Sequence, residues 1–197
     1  MRFSQREIKD LFFAWILISI AFAILFAGRF GGFFQSIFGI GLVISGLTVG
    51  IGFLFHELMH KYVAQNYGLY AEFQAFYKMI FLSIGLAFFG FIIAAPGAVM
   101  IRGHITRERN GKISLAGPVT NIILAVLFLI PLLFIGNVNG IIGLFFDLGF
   151  RINALLAIFN MIPAGPFDGA KVIAWSKPVF YTTVIIAGLL FLGSFVV

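Results

Sequence analysis

The sequence predicts an all-α polytopic membrane protein with five to six transmembrane segments and a re-entrant or strand-like membrane element around residues 71–105. Three observations carry that prediction. Of 197 residues, 61% are hydrophobic and only 10% charged, whereas soluble domains run at about 45–50% apolar and about 25% charged. The mean hydropathy of +1.11 comes from runs close to the roughly 20 apolar residues that cross a bilayer. The basic excess, 13 Lys and Arg against 7 Asp and Glu, lies between those runs, so it reads as a cytoplasmic membrane-face marker and not as a nucleic-acid footprint. With Cys at 0, a disulfide framework, a thiolate metal site and a cysteine nucleophile are excluded.

The first apolar run covers residues 11–27. Ser4-Gln-Arg-Glu7 ahead of it has the form of a capping box, with Ser4 and Glu7 satisfying open N–H groups at a helix start. Ala21-Phe-Ala23 loosely fits a signal-peptide cleavage site, but the run continues through Ala27, so a retained span is expected. The second run is 34–55, and the third, 79–100, is interrupted by Ala94-Ala-Pro-Gly97. The fourth is 115–135, where Pro118 fits a first helical turn. Runs at 141–159 and 178–197 complete the set. The expected organisation is one membrane-embedded domain over residues 1–197, in the lipid bilayer of the cell membrane.

Charge placement predicts the topology. Lys or Arg stands at positions 2, 6 and 9, at 61 and 78, at 102, 107, 109 and 112, and at 171 and 177. The presumed outer loops hold Arg29 in the first and no basic residue at 136–140. Positive-inside logic puts residues 1–10, 61–78, 102–114 and 165–177 in the cytoplasm. Both flanks of 79–100 then belong inside, so this stretch enters and returns, with Gly85, Gly90 and Pro96-Gly97 allowing a bend. The alternative is an ordinary sixth span. Ahead of it, residues 71–78 alternate partially between apolar and polar, which suggests a strand. The alternative there is a surface loop with Phe73, Phe76 and Tyr77 as interfacial anchors.

His56-Glu57-Leu58-Met59-His60 carries the chemistry. Helical positions i and i+4 share one face, so two imidazoles there can bind one zinc ion with a Glu beside its open position. Three polar side chains at the edge of hydrocarbon are costly and functional by default. A catalytic zinc needs a third protein ligand. His104 lies amid Arg102, Arg107 and Arg109, which repel a cation, and Asp147 has Arg151 one turn later as an ion-pair partner. Glu72 stays open, and Asp168 reaches the same membrane depth as the two histidines if 79–100 re-enters. Taken alone, Asn160 reads as a cap where Pro163 ends a helix, and Asn121 as an amide bonding across helices.

The pair His56-Glu57-x-x-His60 and Asn160-x-x-Pro163-x-x-x-x-Asp168-Gly169, with Ala116-Gly117-Pro118-x-x-Asn121 between them, resembles the site-2 protease family of intramembrane zinc metalloproteases. The resemblance runs in order from about Leu47 to Gly169. It implies His56, His60 and Asp168 as ligands of one zinc per chain and Glu57 as the general base. It also implies that Asn121 and Asn160 line the site, orienting substrate or stabilising an oxyanion. The implied partners are transmembrane protein substrates, with no nucleic acid. Neither the PDZ-like nor the CBS domain common in the family fits in this chain. Met59 stands where Gly is common, and the 79–97 stretch is longer than the family's compact membrane-embedded strand region. The expected reaction is peptide hydrolysis by zinc-activated water inside the membrane, with the active-site opening and the N-terminus toward the cytoplasm. A non-proteolytic zinc-binding scaffold and a metal transporter are the competing classes. The scaffold needs the ligands but not Glu57, and the transporter needs ligands along several spans.

Overall fold

The computed structural model describes residues 1–29, 36–92, 96–135 and 140–196. The chain is mostly helical, an all-α polytopic membrane protein in which a two-stranded sheet is inserted. The elements are α1 (Gln5–Arg29), α2 (Ser36–Ser45), a π-turn (Gly46–Gly50), α3 (Ile51–Asn66), β1 (Tyr70–Ala75), α4 (Tyr77–Ala87), β2 (Gly97–Arg102), α5 (Arg107–Ile135), α6 (Gly140–Asn160), α7 (Asp168–Trp175) and α8 (Lys177–Gly193). Among the described residues four stretches, Gln5–Gly28, Phe38–Asn66, Arg107–Phe134 and Gly140–Asn160, are long and apolar enough to cross a membrane. At 17 residues, α8 reaches about 26 Å at about 1.5 Å per residue, somewhat short of the roughly 30 Å hydrocarbon core.

The third apolar run does not form a spanning helix. Its helix α4 has 11 residues, only about 16 Å at about 1.5 Å per residue. The chain then turns at Gly90, whose φ of 84° suits glycine, and comes back as β2. The expected bend at Ala94-Ala95 lies outside the described residues, as do residues 30–35 and 136–139. Residues 71–78 were the expected strand, and β1 occupies 70–75 with Ala71 and Phe73 as its buried residues.

Two compact units divide the residues, one of Met1–Leu54 with Glu72–Met100, the other of Phe55–Ala71 with Ile101–Val197. In the first, α1 packs on α2 and α4. Trp15 donates its indole N–H to the Gly46 carbonyl at 3.0 Å, and a β-carbon on Gly50 would lie 2.5 Å from its ring. The polar head of α1 anchors β1. Glu7 accepts the Phe73 N–H at 2.8 Å, and Asp10 accepts the Ala75 N–H at 3.2 Å and the Tyr77 hydroxyl at 2.7 Å. The Glu7 N–H donates to Ser4 Oγ at 3.1 Å, as a capping box requires, and the Glu7 carboxylate also reaches the strand. Under the strand pair, Phe73 sits edge-to-face on Phe53 and directly beneath Gly97.

In the second unit, α3 ends in a Schellman turn. Leu69 N–H bonds the Ala64 carbonyl and Gly68 N–H the Gln65 carbonyl, with Gly68 at φ 73°. Three helices, α5, α6 and α8, pack around Ala125, Phe150 and Ala154, with Phe128 pressed onto Gly149. A second core joins Met161, Val172 and Phe180. Helix α5 begins at Arg107, so Pro118 stands inside it and not in its first turn. The basic segment ahead of the apolar run is helical too, which an apolar-run reading misses. Lys61, counted with the basic loop 61–78, is instead on α3 and 0% exposed.

Candidate metal centre

His56 and His60 are one turn apart on α3 and both buried. Their rings meet edge-to-face at 4.6 Å between centroids, with the two Nε2 atoms 3.0 Å apart. Asp168 completes the group: its Oδ2 lies 3.3 Å from His56 Nε2 and 3.1 Å from His60 Nε2. Among the described residues these three form the one His/Cys/Asp/Glu group whose ligand atoms converge closely enough to hold a metal ion.

Local sequence explains why Asp168 arrives there. Helix α6 stops at Asn160, ahead of Pro163. The following loop turns at Gly165, with φ 56°, a region that suits glycine. Gly169 then lets α7 start against the loop's own backbone, since a β-carbon there would lie 2.2 Å from the Met161 carbonyl oxygen. Asp168 therefore occupies the first position of α7, where free helix N–H groups favour a carboxylate. Its other oxygen, Oδ1, lies 3.5 Å from Lys171 Nζ.

The hydrogen bonds behind the histidines decide what the group presents. His60 Nδ1 is 2.8 Å from the Ile113 carbonyl, which can only accept, so Nδ1 carries the hydrogen and, in the neutral ring that binds a metal, Nε2 is the lone pair. His56 Nδ1 is 2.6 Å from Asn121 Oδ1, with the same consequence. Two imidazole lone pairs and a carboxylate oxygen thus point at one another, an arrangement that repels itself unless a cation lies among them. Their 3.0–3.3 Å spacing is close to the about 3.3 Å that a tetrahedral ion with bonds of about 2.0 Å imposes. A two-nitrogen, one-oxygen set with a fourth position left open suits zinc. Gly117 of α5 provides the room, since a β-carbon there would stand 2.5 Å from His60 Nε2 and 2.6 Å from His56 Nε2.

The other expected residues are placed as follows. Glu57 is on α3 beside His56, at the edge of burial. Asn121 is fully buried and bonded to His56. The Asn160 amide donates to the Leu156 carbonyl of its own helix at 2.9 Å. Glu72 accepts the Ser4 hydroxyl, Asp147 pairs with Arg151 at 2.6 Å, and His104 is exposed. None of these last three belongs to the converging group. Sequence reasoning missed Asn153, which is 0% exposed and accepts the Asn121 amide N–H at 3.0 Å. It also assigned no role to Gly117. The available signal for Asn153 was its position inside an apolar span, where an amide is rarely idle.

Three known proteins are similar in sequence. A protein of Methanocaldococcus jannaschii, provisionally named a zinc metalloprotease, is 45% identical over 179 residues, 89% of this chain and 87% of that protein. A second protein of that organism, named a zinc metalloprotease, is 32% identical over 124 residues, 62% of this chain and 31% of the relative. A Bacillus subtilis protein, also provisionally named a zinc metalloprotease, is 31% identical over 144 residues, 64% of this chain and 66% of its own length. No protein-family model matches the chain, and no solved structure does.

Proposed function

The chain belongs to the zinc metalloprotease family of these relatives, and from that premise we propose that it is a site-2-protease-like endopeptidase that hydrolyses peptide bonds within transmembrane segments. One observation carries the reading: an acceptor-only His56–His60–Asp168 cluster is buried among helices of which several are long and apolar enough to span a bilayer. A hydrolytic centre at such a place serves bonds that are themselves in the membrane. A transport path would call instead for ligands along several spans.

In this reading His56, His60 and Asp168 would hold one zinc ion. Bound there, zinc supplies Lewis acidity that brings the pKa of a water toward about 7. Glu57 takes a proton from the attacking water and delivers it to the leaving nitrogen as the C–N bond breaks. The products are a carboxylate and an amine, with no covalent enzyme intermediate. Asn160 orients the substrate carbonyl or its oxyanion, whereas the Asn121 amide, with its oxygen on His56 and its N–H on Asn153, acts on the ligand itself. The N-terminus and the opening of the site face the cytoplasm, and the host is the cell membrane, as the charge placement suggests.

A helical substrate must unwind before its backbone can be cut, and the strand pair offers a template for the unwound segment. The β1 N–H groups at Phe73 and Ala75 are taken by Glu7 and Asp10, and the other edge of β1 pairs with β2. Among the described residues no further strand flanks β2, so its outer edge is the one we assign to substrate.

The test is cleavage of a panel of single-span proteins in detergent or vesicles. Wild type is expected to cut at least one within its span, while Glu57→Gln keeps its zinc and cuts none. Turnover by Glu57→Gln at the wild-type rate would refute the assignment of the base.

A further inference from the structure

Asn153 is a fully buried amide within α6 that the hydrolytic chemistry does not use. Its Nδ2 donates to the Gly149 carbonyl at 2.8 Å, its Oδ1 accepts from Asn121 Nδ2 at 3.0 Å, and Asn121 Oδ1 faces His56 Nδ1 at 2.6 Å. An amide presents either a donor or an acceptor at a given corner, and in isolation each of these two could be turned round. The Gly149 carbonyl removes that freedom, because a carbonyl only accepts. It fixes the NH₂ corner of Asn153 and leaves the oxygen facing Asn121. That oxygen demands the NH₂ of Asn121, which leaves the Asn121 oxygen facing His56, where only an N–H on Nδ1 satisfies it.

We propose that Asn153 is a positioning residue for the metal centre: through Asn121 it fixes His56 with its hydrogen on Nδ1, so that Nε2 is the lone pair directed at the ion. The inference rests on reading His56 as a zinc ligand. It separates the two histidines, because His60 is set directly by a backbone carbonyl, that of Ile113, and needs no such relay. Partners of this kind behind a metal-bound imidazole are worth about 10–100-fold in metal affinity.

The experiment uses the full-length, zinc-loaded protein with ¹⁵N-labelled histidine. There are 3 His in the chain, which keeps the spectrum assignable. In wild type, His56 and His60 are each expected to show a slowly exchanging Nδ1–H. Asn153→Ala is expected to shift or broaden the His56 Nδ1–H, leave that of His60 in place, and weaken zinc binding about 10–100-fold against a competing chelator. Adding Asn121→Asp, whose carboxylate accepts from either side, is expected to restore the His56 signal in the Asn153→Ala background. A wild-type His56 without a hydrogen on Nδ1 would overturn the inference before any variant is made. So would an Asn153→Ala protein with unchanged zinc affinity, or one in which His60 moves as much as His56. Zinc bound normally while His56 is indifferent to Asn153 removes the relay alone, whereas absence of zinc from wild type removes the ligand reading beneath it.

Discussion

Gly117 and His60 approach so closely that a β-carbon on the glycine would lie 2.5 Å from the imidazole Nε2. The lone pairs of α3 therefore meet at a point that α5 can wall off only with backbone.

Gly117→Ala is accordingly expected to expel the metal before it unfolds the chain. Overpacking costs about 1–3 kcal/mol, within the reach of a folded domain, but the added methyl occupies the space beside the ligand atoms. Metal analysis should show zinc falling at least tenfold per chain, with the far-ultraviolet circular dichroism kept. Full zinc content in a folded Gly117→Ala protein would mean that the ligands are held elsewhere.

Asn121 and Asn160 differ in what surrounds them, and their variants should differ in kind. Asn121 is bonded to His56, so Asn121→Ala is expected to lower zinc affinity. The Asn160 amide is bonded to Leu156 in its own helix, so Asn160→Ala is expected to keep zinc and to reduce kcat toward a membrane substrate by about 10²–10³-fold if it serves the oxyanion. A chelator titration and a cleavage assay on the same preparations separate the two.

Tyr77 gives the β1 anchor a pH dependence. Burial, then its hydrogen bond to Asp10 and the charge of that carboxylate, push its hydroxyl up to about 12. A raised folded-state pKa means that the contribution is intact below the unfolded value, about 10, and is lost as pH rises through about 12. Because Tyr77 is 38% exposed, water screens the pair and the slope is shallow. Thermal unfolding followed between pH 9 and 12 should show a steeper loss of stability in wild type than in Tyr77→Phe.

The outer edge of β2 is tested by proline. Alternate N–H groups along a strand point to opposite edges, so of Ala98→Pro and Val99→Pro one removes an outward donor. That variant is expected to lose cleavage of a helical substrate while still cutting a short unstructured peptide. Normal cleavage of the helical substrate by both would exclude strand addition at this edge.

Much of the centre is legible in the sequence because helical spacing is rigid. Residues 56 and 60 share a face wherever a helix forms, and few polar residues survive in hydrocarbon without a task. The strand β1 follows from alternation, and the failure of 79–100 to span follows from the charges at Lys78 and Arg102 that bracket it. What escaped depends on tertiary partners. Glu7 looks like a helix cap alone, and its second task, accepting the Phe73 N–H, appears only when β1 is in place. Lys61 looks like the start of a loop until α3 continues past it, and Pro118 looks like a helix start because the apolar run begins only at Leu115, whereas α5 already starts at the charged Arg107. Asn153 gains meaning only when α6 packs on α5 and brings it to Asn121.

The central claim is that His56, His60 and Asp168 together hold zinc, and metal content measures it most directly. Purified wild-type protein is expected to carry about one zinc per chain, and Asp168→Ala, still folded, to lose it on dialysis against a mild chelator. Wild type without zinc, or an Asp168→Ala protein that keeps one zinc per chain through the same dialysis, would contradict the account.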